Sequence, residues 1–243
     1  MPQEMDERED RQVKCRERVR ERGEVFTAER EVKAMCDLVK NETERIDATF
    51  LEPACGDGNF LVEILRRKLA VVKSRYGKRL EDFTFQSIRA LMSLYGIDIL
   101  EDNVEACRER LFSIWFDCFN AEMRKHGATD EGNPVQAVAR FVLKQNILLG
   151  NTLSMKRVDG TGNDLEEPII FTEWTFPRAD RPVVKRRSFR LDTLQRDDGD
   201  SLFAWAEREN NAFIPVPIRE WPMVDYRELP CPETETERGK HVR

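Results

Sequence analysis

Apolar residues recur along the first two thirds of the chain with two different periods, and the alternation of those periods gives the first outline of a fold. Val32, Met35, Cys36 and Val39 fall at i, i+3, i+4 and i+7, the spacing of one buried helical face, and Thr27 stands ahead of them where a helix cap belongs. The next run, Ala48-Thr49-Phe50-Leu51, is short, β-branched and aromatic. It stops at Glu52-Pro53, where proline cannot donate to a sheet, and so predicts a buried strand end. After two glycines, Leu61, Ile64, Leu65, Leu69 and Val72 mark a second helical face, with Glu63, Arg66, Arg67 and Lys68 on its outer side.

The pattern then repeats. Ser93 to Ile97 predicts a strand ending at Asp98, and Val104, Cys107, Leu111, Ile114 and Cys118 predict one face of a third helix. Phe141 to Leu149 is a further apolar run, ending at Gly150-Asn151, and Pro168-Ile169-Ile170-Phe171 is a fourth short one. Residues 73 to 90 are mixed and charged, longer than a simple crossover needs, and read as an extra helix or an insertion. Alternating strands and helices predict an α/β fold with a mostly parallel sheet flanked by helices.

Composition changes this picture at the two ends. Glu, Arg and Lys interleave over residues 1–24 around few apolar positions, which predicts an exposed helical arm. From 177 onward prolines and charges dominate, apart from a helical piece near Ser201 to Glu209. The expected organisation is an arm (1–24), a ligand-binding domain (25–176) and a C-terminal extension (177–243) that contacts DNA or a partner. Of 243 residues, 40 are Lys or Arg and 46 are Asp or Glu; the net charge of −6 argues against nucleic-acid binding through whole-molecule charge. Six cysteines without a C-x-x-C pair and only two histidines predict no metal site. No run reaches membrane-spanning length and the N-terminus lacks the apolar core of a signal peptide, so a cytoplasmic protein without membrane contact is expected.

The chemistry concentrates where the first strand meets its helix. Doubly wound sheets bind ligands beyond the carboxyl ends of their strands, where a glycine turn admits the ligand and a later acid grips ribose hydroxyls. Gly56 and Gly58 supply such a turn, and Asp98 ends the next strand. A dinucleotide fingerprint needs a third glycine where Leu61 stands, which disfavours NAD. Glu52 and Asp57 would repel phosphate but could hold an amino group, which favours S-adenosylmethionine (SAM).

Four segments carry a family resemblance: Phe26-Thr27, Leu51-Glu52-Pro53-Ala54-Cys55-Gly56-Asp57-Gly58-Asn59-Phe60-Leu61, Tyr95-Gly96-Ile97-Asp98-Ile99 and Ile147-Leu148-Leu149-Gly150-Asn151-Thr152-Leu153. Together they resemble adenine-N6 DNA methyltransferases of the class with the cofactor motifs first, over residues 23 to 153. The resemblance implies a Rossmann-like SAM-dependent methyltransferase fold and a restriction-modification or phage setting. It also implies Thr27 near the methionine end of SAM, Glu52, Pro53, Ala54, Cys55, Gly56 and Gly58 in the cofactor loop, Asp98 and Ile99 at the ribose, and Asn151 near the adenine ring.

Three departures stand out. Ala28 replaces the usual proline after Phe-Thr, Asn151 replaces an aspartate, and the catalytic Asn/Asp-Pro-Pro-Tyr/Phe motif is absent. In its place the chain reads Ile169-Ile170-Phe171-Thr172-Glu173-Trp174-Thr175-Phe176-Pro177. Glu173 is the candidate acceptor for the target amine, with Trp174 or Phe176 the candidate ring for stacking an extruded base. The other reading is a silent SAM-binding subunit that completes or regulates a methyltransferase with a partner subunit. A basic run, Arg178, Arg181, Lys185, Arg186, Arg187 and Arg190, is a candidate phosphate track or an ordinary solvated face.

Overall fold

The computed structural model describes residues 27–129, 133–178, 181–194 and 216–229; the charged arm expected over 1–24 and the helical piece expected at 201–209 lie outside them. The first helix, α1 (Glu29–Leu38), carries Glu29 and Glu31 in its first turn, where carboxylates complement the helix dipole. Its cap residue is Ala28, without a side-chain cap bond, so Thr27 does not cap it. Val32 and Cys36 are buried, but Met35 and Val39 are 52% and 48% exposed, because α1 packs along one side only. A single turn, α2 (Lys40–Thr43), leads to the first strand.

A parallel sheet follows. Strands β1 (Phe50–Glu52), β2 (Leu94–Asp98) and β3 (Ile147–Leu149) lie in that order, with Phe50 opposite Leu94 and Gly96 opposite Ile147. Helices α3 (Asn59–Tyr76) and α4 (Leu80–Met92) connect β1 to β2; α5 (Glu101–Lys125) and α6 (Val135–Asn146) connect β2 to β3. The expected extra element within residues 73–90 is therefore α4. The apolar face predicted for α3 is the observed one, with Leu61, Ile64, Leu65, Leu69 and Val72 all buried. Each such burial contributes roughly 1.5–3 kcal/mol. On α5, Trp115 stacks on Phe119 and donates its indole N–H to Ser87 Oγ at 3.0 Å, which ties α5 to α4.

Beyond β3 the chain turns antiparallel. β4 (Lys156–Val158) pairs with β5 (Asp164–Pro168); β6 (Ile170–Thr175) pairs with β7 (Val183–Arg190), which also takes β8 (Arg219–Glu220) and β9 (Val224–Asp225). A short helix, α7 (Leu191–Leu194), follows β7. The fold is thus mixed α/β: the sheet of β1, β2 and β3 is parallel as expected, and the other six strands among the described residues form separate antiparallel pairings. The boundary expected at 176/177 is corrected, since six register pairs join 170–175 to 185–190 across it.

Two polar knots close the amino end of the parallel sheet. Lys68, expected on the solvent side of α3, is fully buried, and its ammonium donates to Ile46 O, Ala48 O and Ser93 Oγ. Burial pushes this ammonium down to about 7 from an ordinary 10.5. Asn146 Nδ2 donates to the carbonyls of Leu91, Met92 and Leu94 at 3.0 to 3.4 Å, filling acceptors at the start of β2.

Candidate functional site

At the carboxyl end, β1 runs into a tight turn. Gly58 N–H donates to Cys55 O at 2.8 Å, and Cys55 N–H donates to Ile97 O at 2.9 Å, so the turn closes on itself and is pinned to β2. Gly56 and Gly58 sit at φ +52° and +91°, the left-handed region. A Cβ on Gly58 would lie 2.6 Å from Cys107 Sγ on α5, so glycine is required there by conformation and by space. The Cys55 thiol donates to Gly56 O at 3.6 Å, and the neighbouring Cys107 thiol together with burial pushes it well above its usual range.

Four segments separated in sequence meet at this turn. Gly56 N–H donates to Asp98 Oδ2 at 2.8 Å. Asn59 Nδ2 donates to Thr27 O at 3.3 Å, and Thr152 Oγ1 donates to Pro53 O at 2.6 Å. Gly150 N–H donates to Asp98 O at 2.9 Å, which completes the circuit from β2 to β3. Thr27, the segment Glu52 to Gly58, Asp98 and the Asn151-Thr152 pair are therefore one constellation, with Pro53 and Ala54 exposed and Ile99 half-buried beside Asp98.

The turn is acidic. Burial pushes the Glu52 carboxyl above its ordinary value. Asp57 Oδ2 pairs with Arg110 at 2.7 Å, whereas Asp57 Oδ1 is buried without a hydrogen-bond partner. Arg110 also donates to Asp57 O at 2.9 Å and Asn59 Oδ1 at 3.0 Å, bracing both sides of Gly58. Sequence reasoning missed Arg110. Its signal was spacing: Cys107, already on the buried face of α5, precedes it by three residues, so the two share a helical face.

Two expected contact residues are partly committed inside the protein. Asp98 accepts Gly56 N–H on Oδ2, and Leu100 N–H (2.9 Å) with Asn103 Nδ2 (3.3 Å) on Oδ1. A carboxylate offers about four acceptor sites, which leaves Asp98 room for one hydroxyl rather than the two expected. Asn151 Oδ1 accepts Leu153 N–H at 3.0 Å, and its Nδ2 donates to Asp164 Oδ1 at 3.0 Å, so the amide serves its own loop.

The catalytic candidates lie away from this turn. β6 starts beside Gly150, where Ile169 Cδ1 would meet a Cβ at 2.6 Å, and runs down to Asn146, whose Oδ1 accepts the Trp174 indole N–H at 2.9 Å. Because β6 runs against the parallel strands, its last residues reach the amino end of the sheet, opposite the glycine turn. Trp174 is buried there, and Phe176 packs on Phe85 and Arg89 of α4. Glu173 alternates to the other face and pairs with Arg187. None of the three is at the turn.

The basic run is likewise divided by strand alternation. Lys185 pairs with Glu220 and Arg187 with Glu173 on one face of β7, Arg186 is buried on the other, and Arg190 at the strand's end pairs with Asp192. Among the described residues no group of three or more His, Cys, Asp or Glu side chains could hold a metal ion. No helix among them is long and apolar enough to cross a membrane.

Fold and site together define a mixed α/β protein whose parallel three-stranded sheet presents a glycine turn at its carboxyl end. Comparison with protein-family models, curated proteins and solved structures finds no match to this chain.

Proposed function

We propose that the chain is a SAM-binding, DNA methyltransferase-like protein whose methyl-transferring residues come from a partner subunit, with adenine-N6 in DNA as the target that the sequence resemblance implies. The observation that carries this reading is the convergence of Thr27, Glu52 to Gly58, Asp98 and Thr152 on one turn that keeps a buried, unpartnered acceptor, Asp57 Oδ1. A buried acceptor without a partner costs about 1–3 kcal/mol, and an amino group placed there would recover it. Glu52 adds a second carboxylate, half-buried on the same turn. Asp98 would take a ribose hydroxyl on its remaining acceptor site, and Gly56 and Gly58 would let backbone approach the nucleoside. SAM supplies an electrophilic methyl group on a sulfonium, and transfer to an exocyclic amine depends on positioning.

The need for a partner rests on the displacement of Glu173, Trp174 and Phe176 to the far end of the sheet. Two measurements test the reading. Calorimetry with SAM on the full chain is expected to show binding that Asp57→Ala weakens; absence of binding would overturn the proposal. Tritiated methyl transfer to unmethylated DNA is expected only when neighbouring gene products are added. Transfer by the isolated chain would remove the partner from the reading while keeping the cofactor.

A further inference from the structure

The parallel sheet has two edges, and they are not alike. Beyond β3 stand Ile170 and Thr172 of β6, which share a cavity wall with Leu148. Beyond β1 no strand is paired among the described residues. Phe50 N–H donates to Ser93 O at 2.9 Å, so the alternation of a parallel ladder turns the backbone groups of Phe50 and Glu52 toward β2 and those of Leu51 away from it. Pro53 follows with no N–H, and its carbonyl takes Thr152 Oγ1. A strand added at this edge would pair with Leu51 and have to leave the ladder at Pro53, beside the glycine turn.

An apolar groove of about 190 Å³ runs beside the same edge, between α1, β1 and the start of α3. Met35, Val39 and Leu51, three of the nine large apolar side chains exposed among the described residues, line it together with Phe60 and Ile64 of α3. An outward-facing strand backbone beside an apolar pocket is the arrangement used in strand addition: main-chain bonds supply affinity, and the pocket selects an alternate side chain.

The occupant follows from the turn. In doubly wound sheets the ligand crevice lies where the strand order reverses, so the strand that carries the glycine turn has a neighbour on each side. Here the far side is empty among the described residues. A strand parallel to β1 would finish at the glycine turn, and the loop after it would reach whatever the turn holds. Glu173, Trp174 and Phe176 are committed away from that turn, and a second copy of the chain would bring the same residues in the same displaced place.

We propose that the β1 edge receives a strand of the partner subunit, parallel to β1, with a large apolar side chain in the groove and the methyl-transferring residues in the loop that follows. The proposal rests on the reading of the chain as a SAM-binding subunit that needs a partner.

The test uses the full chain and the neighbouring gene product that restores methyl transfer. Leu51→Pro removes the outward N–H and leaves the Phe50 bond to Ser93 in place, a substitution that edge strands accept. Val39→Lys puts an ammonium in the groove. Each is expected to raise the partner concentration needed for half-maximal transfer roughly 10-fold, with SAM affinity by calorimetry unchanged. Hydrogen exchange at Leu51 N–H should slow when the partner is added. Half-maximal concentrations that stay at the wild-type value in both variants would overturn the docking and leave the SAM reading standing. Loss of SAM affinity in both would assign the groove to the cofactor, and a wild-type dimer that Leu51→Pro makes monomeric would give the edge to a second copy; either result overturns the proposal. Transfer by the isolated chain, or no neighbouring product that restores it, removes the partner and this inference together.

Discussion

The two ends of the parallel sheet are built on opposite terms. At the amino end the two knots are well answered: the Lys68 ammonium has three acceptors, Asn146 Nδ2 reaches three carbonyls, and its Oδ1 takes the Trp174 indole N–H. At the carboxyl end the same strands finish in glycines of positive φ, exposed Pro53 and Ala54, and a buried carboxylate oxygen without a partner. One end joins strands; the other is left with capacity for something outside the protein. An aromatic residue gains its contacts from the end it reaches, and Trp174 reaches the closure at Asn146.

The contrast can be broken most forcefully at Trp174. Trp174→Ala is expected to cost about 3–5 kcal/mol of unfolding free energy, read by urea denaturation, while folded molecules keep their SAM affinity. A comparable loss of SAM affinity in the folded state would mean that the two ends are not separate. At the other end, Gly58→Val forces a Cβ into Cys107 Sγ and strains the backbone, so SAM affinity measured by calorimetry should fall roughly 100-fold, about 2.7 kcal/mol.

Lys68 offers a subtler handle. Its folded-state pKa of about 7 lies below the unfolded value, so above pH 7 the unfolded chain holds a proton that the folded chain has released. Stability should therefore rise between pH 7 and 10, by at most about 1.4 kcal/mol per unit, and the rise should be absent in Lys68→Met when both are unfolded in urea across that range. The smallest effect is expected at Glu173. Glu173→Gln removes a half-exposed ion pair with Arg187 and should change stability by under about 0.5 kcal/mol, with methyl transfer in the reconstituted system unaltered. Loss of transfer would return Glu173 to the reaction.

The sequence made the first half of this molecule legible because its periods are clean. The apolar face of α3, the strand end at Glu52 and the acid at Asp98 follow from spacing, and the glycine turn from its two left-handed positions; on α5 only Val104, Cys107 and Leu111 of the expected face are buried, and the core of the later turns is Trp115 and Phe119. Periodicity failed where a residue's partners come from elsewhere. Lys68 reads as solvent-facing because its three acceptors are unrecognisable until the chain folds. The run Phe141 to Leu149 is helix up to Asn146 and strand from Ile147 with no loop between, a distinction that hydrophobic content alone does not carry. The direction of β6 was hidden for the same reason: a short apolar run says strand, but only its end contacts, Ile169 beside Gly150 and Trp174 on Asn146, show that it runs against β1–β3.

Asn146 also imposes an order of events. Its amide oxygen receives the Trp174 indole N–H from 28 residues further along the chain, while its amide nitrogen serves carbonyls more than 50 residues behind it. During synthesis, all three parallel strands emerge before the residue that seals their base. A nascent chain released up to Thr152 therefore carries the glycine turn complete and the sheet unsealed, and the last step of its assembly waits for the ribosome to deliver β6.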